Sequence, residues 1–408
     1  MRTKRPSLPR GTARRWQSRL QRGAGIAGLI AVLALVPVTI HAITGVSTPP
    51  ATRPPQAESV DPPAATRPTT ASVTSPVRAV TATVPRGTPV AATTASTDVT
   101  SSSAPLARGE ISDHRVLAFL YPWFGAGAAT DPELSVHPAT TLLTYRLDSS
   151  TDAARMARAQ GIDGFILSFA GAARQGLALH QTLEAASATG GTATVVIETR
   201  EAGTAAVSER WVREALRQSD HPAFQRLDGT PVIFAFASGT IPASAWGAIS
   251  RQMATEGHPV KIIGDVTPST TNLMAGQYRY NALMRSPSAS RTMDEIAAWN
   301  QILATGLRSL GSRIGDSPQL VVATVQPGWD DRRIRGAGNA TVDRNGTATY
   351  DQTWAAALAA KPDWVVITSW NEWYEGTGIA PSAEHGTSAL DATSVWSKRF
   401  KLGGGPSS

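Results

Sequence analysis

The chain contains no cysteine. That excludes a thiol nucleophile, a cysteine-bound metal and any disulfide, so the fold must rest on its packed core. Histidine is scarce as well, seven in 408 residues. His114, His137, His180, His221 and His385 are spread without the spacing that gathers imidazoles around a metal. The sequence has no G-x-S-x-G elbow and no Walker-type lysine loop, so serine-hydrolase and P-loop chemistry lack their motifs. Neither a metal nor a cofactor is expected.

Acidic residues are absent from the first 22 positions, where Arg2, Lys4, Arg5, Arg10, Arg14, Arg15, Arg19 and Arg22 fall. The next stretch, Gly23 to Ile40, has no charge at all and is mostly apolar, and it extends through His41 to Val46. A basic flank before an apolar run of this length predicts a membrane span with its N-terminus inside. The reading is therefore a cytoplasmic tail at 1–22, a transmembrane signal-anchor at 23–46 and an extracytoplasmic remainder, single-pass at the cell membrane. A cleaved signal peptide with secretion is the alternative, although no small-x-small cleavage site follows the apolar run.

The tail also explains the net charge of +7: without its eight basic residues, 30 Lys and Arg face 31 Asp and Glu. The positive charge belongs to topology rather than to a binding face, so no nucleic-acid partner is expected. From Ser47 to Gly109 the chain turns to Pro, Thr, Ala, Ser and Val without periodicity, as in Thr52-Arg-Pro-Pro55. Such a composition cannot bury enough apolar surface to order itself. It reads as a disordered spacer reaching ~3 Å per residue when stretched.

Residues 110–400 suit one large α/β domain, followed by a flexible tail at 401–408. Apolar runs predict strands at 116–121, 164–169, 194–198, 232–236, 261–264, 280–284, 320–324 and 364–368. Helical spacing intervenes at 149–161, 177–189, 208–219, 246–253 and 292–311. Asp351 is expected to cap a last helix running to Ala360, and Thr292 and Glu295 have the spacing of a capping box. Eight strands alternating with helices predict a single (β/α)₈ TIM-type barrel, whose active sites lie at the C-terminal strand ends.

The unusual residues fall at those ends. Tyr121-Pro-Trp-Phe124 follows strand one, with His137 in the same rim loop. Glu198-Thr-Arg200 ends strand three, Asp265 follows strand five, and Gln326-Pro-Gly-Trp-Asp-Asp331 follows strand seven. The densest stretch comes after strand eight, where Trp370, Asn371, Glu372, Trp373, Tyr374 and Glu375 stand together. Glutamates three apart are common on solvated helix faces. Here they follow a buried strand and sit among sugar-sized aromatic faces. Glycoside cleavage needs one carboxyl to protonate the leaving oxygen and another to act as base or nucleophile. Glu372 and Glu375 are thus the candidate catalytic pair. Tyr121, Trp123, Glu198, Trp329, Asp330, Asp331, Trp370, Asn371, Trp373 and Tyr374 are candidate contacts to a polysaccharide or glycan. The alternative is a glycan-binding barrel that keeps the aromatic rim without turnover.

These stretches resemble glycoside hydrolase family 99, the endo-α-mannosidase family, and its wider relatives. The resemblance rests on Tyr121-Pro-Trp-Phe-Gly125, on Gln326 through Arg335, and on Tyr350-Asp-Gln-Thr-Trp354 leading into Ile367 through Thr377. Asp148-Ser149 and His221-Pro-Ala-Phe224 through Val232 are similar to family segments too. The resemblance implies a retaining reaction. Glu372 would act as base on the sugar 2-hydroxyl to give a 1,2-anhydro sugar, and Glu375 as the acid that later activates water. It also implies a sugar-hydroxyl contact at Glu198. The chain departs from the family pattern at Tyr374, Gly378 and Ala380, and at Phe234-Ala-Phe-Ala-Ser238. Those departures keep glycosidase chemistry and leave α-mannan open as the substrate.

Overall fold

A computed structural model of the chain describes residues 114–124, 127–139, 150–265, 273–310 and 319–403. The basic tail, the apolar segment, the Pro/Thr-rich stretch, Gly125, Asp148-Ser149 and Gly311 lie outside the described residues. Eight parallel strands form a closed ring: β1 (Arg115–Leu120), β2 (Gly164–Phe169), β3 (Thr192–Glu198), β4 (Thr230–Phe236), β5 (Lys261–Asp265), β6 (Gly276–Tyr278), β7 (Leu320–Val325) and β8 (Trp364–Ile367). Each pairs in parallel with the next, and β8 returns to β1 through Arg115↔Trp364 to Ala118↔Ile367.

Strands buried on both faces must read as continuous apolar runs, which is why Phe165-Ile-Leu-Ser-Phe169 and Leu320-Val-Val-Ala-Thr-Val325 show no alternation. Around the ring lie α1 (Ser150–Ala159), α2 (Ala172–Ala188), α3 (Ala205–Leu216), α4 (Ala243–Thr255), α5 (Met293–Leu310), α6 (Ala348–Ala359) and α7 (Ser388–Lys401). The expected capping box opens α5. The Glu295 amide donates to Thr292 Oγ1 at 3.2 Å, and the Thr292 amide donates back to Glu295 Oε2 at 2.9 Å.

The barrel interior is filled by aromatic rings from three strands. Phe119 of β1, Phe234 of β4 and Tyr278 of β6 meet with centroids 5.4 to 6.2 Å apart. Strand side chains on one face recur every second residue. Tyr121, Phe236 and Tyr280 therefore form the next layer towards the C-terminal mouth, and Tyr280 packs on Phe119 at 5.2 Å and on Phe236 at 5.1 Å. This upper layer brings two phenol hydroxyls up to the carboxyl groups of the mouth.

Three expectations need correction. The sixth strand is Gly276–Tyr278 rather than 280–284. It has only three residues, and Gly276 lies so close to β7 that a Cβ there would sit 2.6 Å from the Leu320 carbonyl oxygen. The stretch 280–284 is the connection that leaves the barrel mouth. Asp351 is not the cap of α6. It lies inside the first turn, where its carboxylate accepts from Thr347 Oγ1 at 2.8 Å and Trp396 Nε1 at 2.6 Å. Nor is α6 the last helix, because α7 follows β8. Its buried stripe includes Thr393 and Ser397, so its apolar period is weak.

Candidate active site

The loop after β8 is fixed from several sides. The Trp370 amide donates to Phe119 O at 2.8 Å. Asn371 and the Tyr121 backbone exchange two hydrogen bonds, each 2.8 Å. The Ser135 and Val136 amides donate to Trp373 O, the Asp330 amide donates to Glu375 O, and the buried Arg344 guanidinium donates to Gly376 O and Gly378 O. A site held this tightly needs little reorganisation to bind or react.

Two glutamates stand on this loop, and both are almost covered, Glu372 at 6% and Glu375 at 9% exposure. Burial pushes the Glu372 carboxyl well above the usual range, and the nearby Glu375 adds to the rise. Burial raises Glu375 as well, but Arg335 opposes it. Arg335 Nη2 lies 2.7 Å from Glu375 Oε1, and Nη1 lies 2.8 Å from Asp331 Oδ2. Two buried carboxyls of which only Glu375 is bonded to a cation hold unequal shares of charge, which is what acid and base roles on one bond require.

Other rim residues converge here. Glu198 ends β3, accepts from Ser168 Oγ at 2.5 Å, and is pushed up to about 7 by burial, with Glu375 among the charges that raise it. Tyr121 Oη donates to Tyr280 Oη at 2.5 Å, and Tyr280 Oη reaches Glu375 Oε2 at 3.5 Å. Burial raises both phenols well above their ordinary value, so they remain hydroxyl donors. Trp123 is half-buried with its ring on Tyr121 at 4.8 Å. Trp329 lies beneath the Arg335 guanidinium, 5.9 Å from it.

Several expected contacts have other work. Trp370 and Trp373 show 0% exposure. The first packs edge-on to Phe165, and the second lies so close to Gly378 that a Cβ there would be 2.6 Å from its ring. Both are core residues with no face to offer a sugar. Asn371 spends its side chain on the Tyr121 backbone, and Tyr374 packs on Phe124 at 5.2 Å. Asp330 turns outward to a forked pair with Arg332. Asp331 is buried and holds Arg335 and the Asn339 amide. Asp265 accepts from the Ala237 and Tyr280 amides and so shapes the β4 and β6 ends. His137 ties its loop to Glu384 at 2.5 Å and to Asp131 O, away from the carboxyl group cluster.

Sequence reasoning missed Tyr280, Ser168 and the role of Arg335. Placing strand six at 280–284 put Tyr280 at a strand's start, whereas it stands two residues past the end of one. The spacing of Asp331 and Arg335 by four residues was a readable signal for their ion pair.

Fold and site together define a closed (β/α)₈ barrel with buried, cation-bridged carboxyls at its C-terminal mouth. The model of glycosyl hydrolase family 99 matches residues 300–394, and this stretch is similar to that family. A glycoprotein endo-alpha-1,2-mannosidase-like protein of Danio rerio is 31% identical over 96 residues, which span 20% of this chain and 22% of that protein. The chain thus spans about a fifth of that relative's length. Among solved structures, the family 99 endo-alpha-mannosidase of Bacteroides thetaiotaomicron superposes with a TM-score of 0.59 at 20% identity, covering 71% of this chain and 98% of that one. A glycoside hydrolase-like protein superposes at 0.53 with 13% identity, covering 72% and 97%. At these identities the superpositions carry the barrel fold alone.

Proposed function

We propose that this protein is a glycoside hydrolase that cleaves a glycan or polysaccharide at the mouth of its barrel, with Glu372 and Glu375 as its carboxyl pair. The observation that carries this reading is the burial of both glutamates on one rigid loop, with Arg335 on only one of them. Following the family resemblance, Glu375 protonates the leaving oxygen and later activates water, and Glu372 acts on the sugar 2-hydroxyl. Glu198, Tyr121 and Trp123 line the same cleft. The endo-mannosidase names of the relatives make an internal α-mannosidic or related linkage the first candidate.

The basic tail and the apolar stretch from Gly23 support a membrane anchor with the barrel outside. That segment lies outside the described residues, and no helix among the described residues is long and apolar enough to cross a membrane. Protease added to intact cells should remove the barrel and spare the tail; a barrel protected until lysis reverses the topology.

The test of activity is incubation of the protein with α-mannans and cell-wall glycans, followed by sequencing of the products. Oligosaccharides with a new reducing end are expected. A glycan that binds at the mouth and is never cut would make the barrel a binding module instead.

A further inference from the structure

The bridge between the β7 and β8 loops goes beyond the carboxyl pair. Arg335 belongs to the short helix Arg332–Arg335 after β7 and reaches across to the β8 loop. Its side chain is 31% exposed, whereas those of Glu375 and Asp331 are 12% and 3% exposed. One end of the guanidinium is fixed by Asp331, which also takes the Asn339 amide at 3.1 Å. The other end meets Glu375 Oε1, which leaves Oε2 facing Tyr280 Oη. Glu372 has no such cation; its Oε1 accepts only the Tyr374 amide, at 3.3 Å, among the described contacts.

We infer that Arg335, held by Asp331, is the positioning residue of the site: it fixes the orientation of the Glu375 carboxyl group and sets how tightly that carboxyl group holds its proton. The inference rests on the reading of Glu372 and Glu375 as the working pair. The charged and titratable groups facing Glu375 are Glu372 on its own loop, Arg335 and Asp331 from the β7 side, Tyr280 from β6, Tyr121 from β1 and Glu198 from β3. Among these, Arg335 is the one cation, against several acids and a buried setting that all favour the neutral form.

The consequence for turnover is direct. A carboxyl group buried without a cation would hold its proton too tightly to give it to a glycosidic oxygen. Arg335 stabilises the carboxylate that remains once the proton has moved to that oxygen and the C–O bond has broken. The same carboxylate then takes a proton from the attacking water, so it ends the cycle protonated again. An ion pair fixed at both ends provides this without a substrate-induced movement.

The test is a titration that needs no substrate. The full chain, labelled with ¹³C at the glutamate side-chain carboxyl carbon, is followed by NMR, and the Glu375 signal is assigned by its loss in Glu375→Gln. Arg335→Met should move the Glu375 midpoint up by at least one pH unit, a tenfold gain in proton affinity. Arg335→Lys should restore part of the shift, because it returns the charge but not the fork. If Arg335→Met does not fold, Arg335→Lys decides the matter by a Glu375 midpoint above that of the unsubstituted chain. An unchanged midpoint in folded variants overturns the inference. The reading of the catalytic pair fails separately, if Glu375→Gln leaves glycan cleavage untouched while the midpoint still responds to Arg335.

Discussion

The side chain of Asn371 and the backbone of Tyr121 exchange two hydrogen bonds, which join the loop after β8 to the end of β1. Both residues are buried, so water does not replace a bond that is lost. Asn371→Ala is expected to destabilise the protein by ~1–3 kcal/mol, the usual cost of an orphaned buried polar group. It should also release Tyr121 and, through it, Tyr280. Urea unfolding at a fixed pH measures this, and an unchanged midpoint would show that the tie does not hold the mouth together.

The tryptophans divide between core and cleft. Trp373→Ala removes a fully buried ring and is expected to cost about 3–5 kcal/mol. Trp123→Ala, at a half-buried ring lying on Tyr121, should cost much less and instead weaken binding of any glycan that the barrel accepts. Thermal melting and glycan titration of both variants separate the two. Equal stability losses would place Trp123 in the core as well.

Stability should fall as the solution is made less acidic. Glu198 is pushed up from 4.5 to about 7, chiefly by burial. The folded state therefore keeps a proton that the unfolded chain releases in that window. Stability is lost as pH rises through it, on the order of 3 kcal/mol from this group, and no further above it. Glu372, Glu375 and Asp265 are also raised by burial and act with the same sign. Glu198→Gln keeps an acceptor for Ser168 and should flatten part of the slope between pH 4.5 and about 7. A slope identical to that of the unsubstituted chain would mean that Glu198 ionises as freely in the fold as out of it.

The barrel was legible because its strands are buried on both faces and read as short apolar runs between helical patterns. Seven of the eight sit within a few residues of their expected places. β6 was not legible, because Gly276-Gln-Tyr278 has no apolar run and owes its place to close approach by its neighbours. α7 was missed for a related reason: threonine and serine fill part of the face it buries. At the site, the placement of Glu372, Glu375, Glu198 and Tyr121 at one mouth followed from strand order alone. The direction in which each aromatic points did not, since Trp370 and Trp373 share their loop with the glutamates but turn inward. Spacing along a loop does not say which side chains it buries; that depends on the packing of Phe165 and Gly378 against them.

The central claim is that the glutamates after β8 carry out glycoside cleavage. Its most direct measurement is the turnover of Glu372→Gln and Glu375→Gln on a glycan that the unsubstituted protein cleaves. Each change keeps size and hydrogen bonding and removes the ionisable proton, so each should slow turnover by ~10² or more with the fold intact. Loss of Glu375 should matter less on a substrate whose leaving group departs without protonation, whereas loss of Glu372 should matter on every substrate. Full activity in both folded variants on the same glycan would contradict the claim.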